Sequence, residues 1–98
     1  MPPPDQPAPP VRHDAPAQRF EILSDGHRSE LDYVIENEKR VVFTHTFVPP
    51  ELRGRGLAEK LVRAALGWAR HEGKRVVPAC SYVAAFIERN PEFKELLA

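Results

Sequence analysis

Hydrophobic and polar residues in the first half of the chain recur with the spacing of β-strands. Residues 20–23 form a short apolar run that ends near Asp25-Gly26, a dipeptide typical of tight turns. Apolar and polar residues then alternate over 31–36, and a β-branched and aromatic run follows over 40–48. The prolines after this run cannot donate to a sheet and end it. The pattern predicts an antiparallel meander of three strands.

The spacing changes to that of a helix in the second half. Apolar residues recur at i, i+4, i+7, i+8 and i+11 over residues 57–68, and Gly73 is placed to end the helix. Residues 75–80 read as a fourth strand, and 82–89 as a second helix that Asn90-Pro91 breaks. A strand, a helix and a strand in this order form a crossover unit with parallel strands. We therefore expect an α/β fold in which one mixed sheet carries helices.

The N-terminal segment differs from the rest in composition. Seven of the eleven prolines lie between Pro2 and Pro16, and the larger apolar residues there are Met1 and Val11. So few apolar groups offset little of the entropy lost on ordering. The sequence predicts a disordered tail over residues 1–17 and a single folded domain over 18–98.

Charge and cysteine usage narrow the functional classes. The 98 residues carry 14 basic and 14 acidic side chains, so no net charge attracts nucleic acid or an anionic membrane. No apolar run approaches the roughly 20 residues of a membrane-spanning helix. The single cysteine cannot form an intramolecular disulfide, and the Pro-rich start does not resemble a secretory signal. We expect a cytoplasmic protein without a membrane partner, and the oligomeric state stays open.

Residues 53–58, Arg-Gly-Arg-Gly-Leu-Ala, place a glycine-rich turn between a predicted strand and the start of a predicted helix. The first N–H groups of a helix have no partner within it, and the helix dipole adds positive potential, so a phosphate can bind there. Gly54 and Gly56 let the backbone approach the phosphate oxygens, while Arg53 and Arg55 can add charged donors. Neither a dinucleotide-binding G-x-G-x-x-G nor a P-loop is present. The turn suits a diphosphate, although by itself it could also be a plain chain reversal.

The turn and its neighbours together resemble the GCN5-related N-acetyltransferase family, in its minimal single-domain form. The resemblance covers about half of the chain, from His45 to Phe93. The matching segments are His45-Thr46-Phe47-Val48-Pro49, Arg53-Gly54-Arg55-Gly56-Leu57-Ala58, and Ala79-Cys80-Ser81-Tyr82 followed by Asn90-Pro91-Glu92.

This resemblance implies that acetyl-CoA is the co-substrate and that the turn holds its pyrophosphate. It also implies that the strand before the turn splays from the strand after the helix, with the thioester in the gap between them. The cofactor contacts implied in this way are Phe47, Val48, Arg53, Gly54, Arg55, Gly56, Leu57, Ala58, Tyr82 and Asn90.

Cys80 and His45 are the candidate catalytic residues. Cys80 is the only thiol and lies just before a predicted helix N-terminus, where the dipole favours thiolate, although free cysteines are also often buried as small apolar groups. The thiol could accept the acetyl group or only line the pocket while an amine attacks directly. His45 could accept a proton if its side chain faces the gap, or lie bonded on the sheet surface. The remaining histidines form no metal set with Cys80, so no metal is predicted.

The leading hypothesis is an enzyme that transfers acetyl from acetyl-CoA to an amine. The alternatives are an acyl-CoA-binding or protein-interaction module without turnover and, disfavoured by the charge balance, a nucleic-acid adaptor. The resemblance also implies that full-sized members have an additional N-terminal strand, which the sequence does not predict here. The identity of the amine acceptor is not readable from the sequence.

Overall fold

A computed structural model describes residues 9–98 of the chain. Five strands form one sheet in the order β1-β2-β3-β4-β5. The strands are β1 (Arg12–Asp14), β2 (Arg19–Ser24), β3 (His27–Asn37), β4 (Arg40–Phe47) and β5 (Arg75–Pro78). Strands β1 to β4 pair antiparallel, and β5 pairs parallel with β4. The predicted class, a mixed sheet with a crossover helix, is confirmed.

The α-helices occur in the predicted order, α1 (Leu57–His71) between β4 and β5 and α2 (Ser81–Arg89) after β5. Single 3₁₀ segments occupy Pro50–Leu52 and Pro91–Leu96. Gly73, with φ +67°, follows the end of α1 in the left-handed conformation that glycine adopts without strain. Both helices bury their apolar faces in one core with the sheet. The core residues of the sheet are Phe20, Ile22, Leu31, Tyr33, Val41, Phe43 and Val76.

The structure corrects the sequence prediction at the N-terminus. Residues 12–14 form β1, which pairs with β2 in the register His13↔Phe20, so the segment predicted as a tail contributes a strand to the sheet. The His13 ring stacks on Phe20 at 4.2 Å and meets the edge of Trp68 at 5.0 Å. Its Nε2 atom lies 2.7 Å from the Tyr33 hydroxyl. The hydrophobicity pattern did not predict this strand, because histidine counts as polar although the His13 ring packs here in an aromatic cluster. Residues 1–8 of the predicted tail lie outside the described residues.

A β-bulge in β4 decides which side chains of this strand face the core. Tyr33 pairs with Phe43 but Asp32 pairs with His45, so Thr44 is an extra residue on β4. Regular alternation from Val41 and Phe43 would point His45 toward the core. The inserted residue shifts the alternation by one position, leaving His45 exposed and Thr46 half-buried.

Strands β4 and β5 separate after a short parallel ladder. Their pairing runs from Arg40↔Arg75 to Phe43↔Pro78, and the Cys80 N–H then donates to the Phe43 carbonyl over 2.9 Å. Within the described chain, residues 44–47 of β4 continue without a partner from β5. The divergence leaves a gap between the end of β4 and the start of α2.

Candidate functional site

The turn before α1 presents a row of unused backbone donors. Gly54 has φ +84° and Gly56, the N-cap of α1, has φ +74°. Side chains rarely tolerate this left-handed conformation, which explains both glycines. The first intrahelical bond of α1 comes from the Lys60 N–H to the Gly56 carbonyl. Among the described residues, none accepts a hydrogen bond from the N–H groups of residues 54–59. These donors, at the positive end of a helix dipole, form a candidate anion site.

Two adjoining cavities lie at this turn. The first has a volume of about 220 Å³ and is lined mainly by the turn and the first residues of α1. The second has a volume of about 290 Å³ and extends toward the end of β4. Val48, Arg53, Ala58 and Tyr82 line both of them. The cavities therefore connect the anion site with the gap between the strands.

Most of the predicted cofactor contacts line these cavities. They are Phe47, Val48, Arg53, Gly54, Gly56, Leu57, Ala58 and Tyr82. Sequence reasoning missed Thr46, Leu52 and Glu59, which also contribute to the walls. The sequence could have indicated Glu59, because it lies in the first turn of the predicted helix, directly after the glycine-rich turn. Its carboxylate is 3.2 Å from Arg63 Nε.

The two arginines of the turn have different surroundings. Arg53 lines both cavities, and its Nε donates to the Val48 carbonyl over 3.0 Å. Arg55 is absent from the cavity walls, and its Nη1 is 2.9 Å from Oδ2 of Asp25 in the β2–β3 turn. Arg53 is therefore the arginine placed to meet an anion in the cavity.

Asn90 also lies outside both cavities. It follows the last residue of α2, where its Nδ2 donates to the Phe86 carbonyl over 2.9 Å and its Oδ1 accepts from Arg63 over 3.3 Å. The bond from Arg63 joins the end of α2 to α1. The structure thus gives Asn90 a packing position, while its predicted role as a cofactor contact remains a prediction.

Cys80 lies at the gap, where it is the N-cap residue of α2 and half-buried. Its Sγ is 3.4 Å from the Thr46 hydroxyl on β4. Burial by itself raises the pKa of the Cys80 thiol, but hydrogen bonds outweigh that effect and lower the pKa. The Thr46 hydroxyl, 3.4 Å from the sulfur, lowers the pKa most, and nearby backbone N–H groups of Val83 and Tyr82 at the start of α2 lower it further. This environment favours the thiolate, the nucleophilic form.

The structure does not bring His45 into contact with Cys80. Among the described residues no hydrogen bond joins the two side chains, and Thr46 contacts the thiol because of the bulge at Thr44. His45 is instead the cross-strand partner of Asp32. Its predicted role as a proton acceptor therefore stays a prediction.

Asp32 adds a second titratable group beside His45. Burial raises the pKa of this carboxyl group, and a hydrogen bond and the negative charge of Glu30 raise it further. The positive charges of His45 and Arg19 oppose the shift. A carboxyl group and an imidazole thus share the outer side of the sheet close to the gap.

Within residues 9–98, no group of three or more His, Cys, Asp or Glu side chains is arranged to hold a metal ion. None of the helices in the same range is both long and apolar enough to cross a membrane.

A mixed sheet whose parallel strands diverge beside a glycine-rich helix start is the architecture of GCN5-related acetyltransferases. The model of the family described as GCN5-related N-acetyl-transferase matches residues 19–96. The chain belongs to this family, and the family resemblance drawn from the sequence is confirmed.

Similar proteins agree with this assignment. Protein NATD1 of Bos taurus is 35% identical over 83 residues, which cover 83% of this chain and 74% of the relative. Protein NATD1 of Xenopus tropicalis is 32% identical and covers 83% and 76%. The solution structure of a GCN5-like protein from Staphylococcus aureus superposes with a TM-score of 0.72 at 22% identity, covering 91% of this chain and 87% of that one. This last likeness concerns the fold.

Proposed function

We propose that the protein transfers an acetyl group from acetyl-CoA to an amine. The observation that carries the proposal is the row of free N–H groups over residues 54–59, which opens into cavities leading to the strand gap. A diphosphate accepts hydrogen bonds from such a row, and Arg53 adds a positive charge. The N-acetyltransferase family to which the chain belongs supports acyl transfer as the chemistry. The cytoplasmic location expected from the sequence remains part of the proposal.

The unpaired end of β4 supports a place for the pantetheine arm. Residues 44–47 have backbone groups that β5 does not use, and an extended chain of amides can bond to them as an added strand would. Phe47 and Val48 line the second cavity beside this edge. In this arrangement the diphosphate lies at the turn and the thioester lies in the gap near Cys80.

Two routes for the acetyl group start from this arrangement. In the first, the Cys80 thiolate attacks the thioester carbonyl, a C–S bond to Cys80 forms, and the thiolate of coenzyme A leaves. An amine then attacks the acetyl-cysteine, loses a proton and releases the Cys80 thiolate. In the second, the neutral amine attacks the thioester carbonyl directly, the thiolate of coenzyme A leaves and the nitrogen loses a proton, while Cys80 lines the pocket. The lowered pKa of Cys80 and its contact with Thr46 favour the first route.

Titration of acetyl-CoA into the full chain tests the proposed site. Gly56→Glu places a carboxylate in the turn and should abolish binding that the wild type shows in the micromolar range, the order typical of such co-substrates. Gly73→Glu is the matched control, because Gly73 also has positive φ and open space where a Cβ would lie, but it is at the other end of α1. It should bind like the wild type. No binding by the wild type would refute the acetyltransferase function.

A second experiment separates catalysis from binding. Release of coenzyme A in the presence of a panel of primary amines, with mass spectrometry of the protein, should show turnover and an acetyl adduct on Cys80. Cys80→Ala should lose the adduct and most of the turnover. Full activity of Cys80→Ala would support direct attack by the amine. Binding without release of coenzyme A would support the alternative, an acyl-CoA-binding module without turnover.

A further inference from the structure

An ion pair connects the glycine-rich turn over residues 53–58, called the diphosphate turn after its proposed ligand, to the β2–β3 turn. The β2–β3 turn lines neither of the two cavities. Arg55 Nη1 and Asp25 Oδ2 are 2.9 Å apart, and the two residues are 30 positions apart in the chain. The Arg55 side chain is 24% exposed, so it is largely packed against the protein. Asp25 has φ +52°, a left-handed conformation that Asp and Asn adopt more readily than other side chains. The contact therefore joins two specific local conformations.

A weaker contact lies beside the first. His27 Nε2 is 3.5 Å from Glu51 Oε2, which links the start of β3 to the 3₁₀ segment before the diphosphate turn. Both side chains are well exposed, so this pair contributes little by itself. Together, however, the two contacts join the β2–β3 turn and the start of β3 to Arg55 and Glu51 of the loop between β4 and α1.

The diphosphate turn needs such support from outside. Residues 53–56 belong neither to a strand nor to a helix, and Gly54 and Gly56 leave the backbone free to change conformation. The N–H groups bind a diphosphate well only when they are already aligned, because ordering them on binding would cost entropy. Arg55 lies between the two glycines, and its ion pair ties this part of the turn to the rest of the protein.

We propose that Asp25 is a positioning residue for the co-substrate site: it holds Arg55 outside the cavity and so fixes the N–H groups of the turn. The proposal rests on the function proposed above. It assigns Arg55 a structural contact in place of the phosphate contact expected from the sequence. It also gives the β2–β3 turn, which touches no cavity wall, a part in binding acetyl-CoA.

The direction in which Asp25→Asn changes the affinity for acetyl-CoA distinguishes a positioning role from a purely electrostatic one. Asp25→Asn removes a negative charge near the site of a polyanion and frees Arg55, and both effects by themselves would strengthen binding of acetyl-CoA. Loss of a positioned turn would weaken it. Asparagine also tolerates positive φ, so the backbone of the β2–β3 turn is preserved.

Chemical-shift titrations of the full chain with acetyl-CoA and with acetyl-pantetheine, which lacks the diphosphate, provide the test. Asp25→Asn should weaken acetyl-CoA binding about two- to five-fold, the range of a partly exposed ion pair. Binding of acetyl-pantetheine should be unchanged. In an Arg55→Gln background the same substitution should cause no further loss of affinity, since Asp25 positions the turn through Arg55.

Three results would overturn the inference while leaving the proposed function intact. Unchanged or tighter binding of acetyl-CoA by Asp25→Asn would show that Asp25 does not position the turn. An equal loss for acetyl-pantetheine would indicate a general disturbance of the fold. An undiminished effect in the Arg55→Gln background would exclude Arg55 as the link. Absence of acetyl-CoA binding in the wild type would instead refute the proposed function, and the inference with it.

Discussion

At the scale of single residues, the contact between Thr46 and Cys80 has the most direct chemical consequence. The hydroxyl lies 3.4 Å from the sulfur and is one of the donors that lower the pKa of the thiol. Its position depends on the bulge at Thr44, which turns Thr46 inward and His45 outward. A hydrogen bond to an anion stabilises it more than one to a neutral group does. The reactivity of Cys80 therefore depends on Thr46.

Thr46→Val should raise the pKa of Cys80, because valine keeps the shape of the side chain and removes the donor. Loss of about 1 kcal/mol of stabilisation of the thiolate corresponds to a several-fold slower alkylation near neutral pH. The rate of reaction with iodoacetamide as a function of pH measures this change. Thr44 provides the control, because its hydroxyl donates to the Asp32 carbonyl. Thr44→Val should leave the rate unchanged. Equal rates for Thr46→Val and the wild type would show that Thr46 does not affect the thiol.

At the scale of elements, one imidazole contributes to the attachment of β1 by packing against aromatic rings, beside the backbone pairing with β2 and the contact of Val11 with the core. His13 contacts the rings of Phe20, Tyr33 and Trp68, which belong to β2, β3 and α1. Desolvation lowers the pKa of His13, and the charges of Asp14 and Glu72 oppose the shift. The ring is nevertheless exposed at the edge of the sheet, so solvent screens much of the effect. The neutral ring is the form that suits this cluster.

Acidification should weaken the attachment of β1. Since the pKa of His13 in the folded state lies below the ordinary value of 6.5, its contribution is present above pH 6.5 and is lost as the pH falls through the folded-state value. We expect a loss of less than about 1 kcal/mol between pH 7.5 and 5.5, measured by urea unfolding. His13→Gln should remove this part of the pH dependence, whereas His71→Gln, at the exposed end of α1, should retain it. A His13→Gln profile parallel to that of the wild type would contradict the prediction.

At the scale of the whole molecule, one core holds the sheet and both helices together. Side chains of α1 and α2 are buried with the inner face of the sheet in a single cluster. A domain of this size has a small stability margin, so a single core substitution removes a large part of it. The proposed co-substrate site depends on the same core, because Leu57, at the start of α1, is both buried and part of a cavity wall.

Leu66→Ala should destabilise the domain strongly. The Leu66 side chain is fully buried in α1, and such substitutions cost about 2–5 kcal/mol through lost burial and the cavity that remains. Leu23→Ala removes a leucine that is 50% exposed and should cost less than about 1 kcal/mol. Free energies of unfolding from urea titrations compare the two. Equal losses would show that this core does not dominate the stability.

The sequence by itself determined the order of the elements from β2 to α2, because local spacing and turn residues carry that information. It also located the glycine-rich turn before α1, since glycines between a strand and a helix are required by the local backbone conformation. Most of the predicted cavity residues follow from this one turn and from the end of β4.

Only the tertiary structure decided the remaining features, and each depends on a contact between distant residues. The strand β1 pairs with β2, and its His13 packs on aromatic rings from three other elements. The inward position of Thr46 comes from a bulge that only the pairing of β3 with β4 defines. Arg55 faces Asp25, which is 30 residues away, instead of the cavity. Spacing along the chain does not record such contacts, because they depend on register and packing between elements.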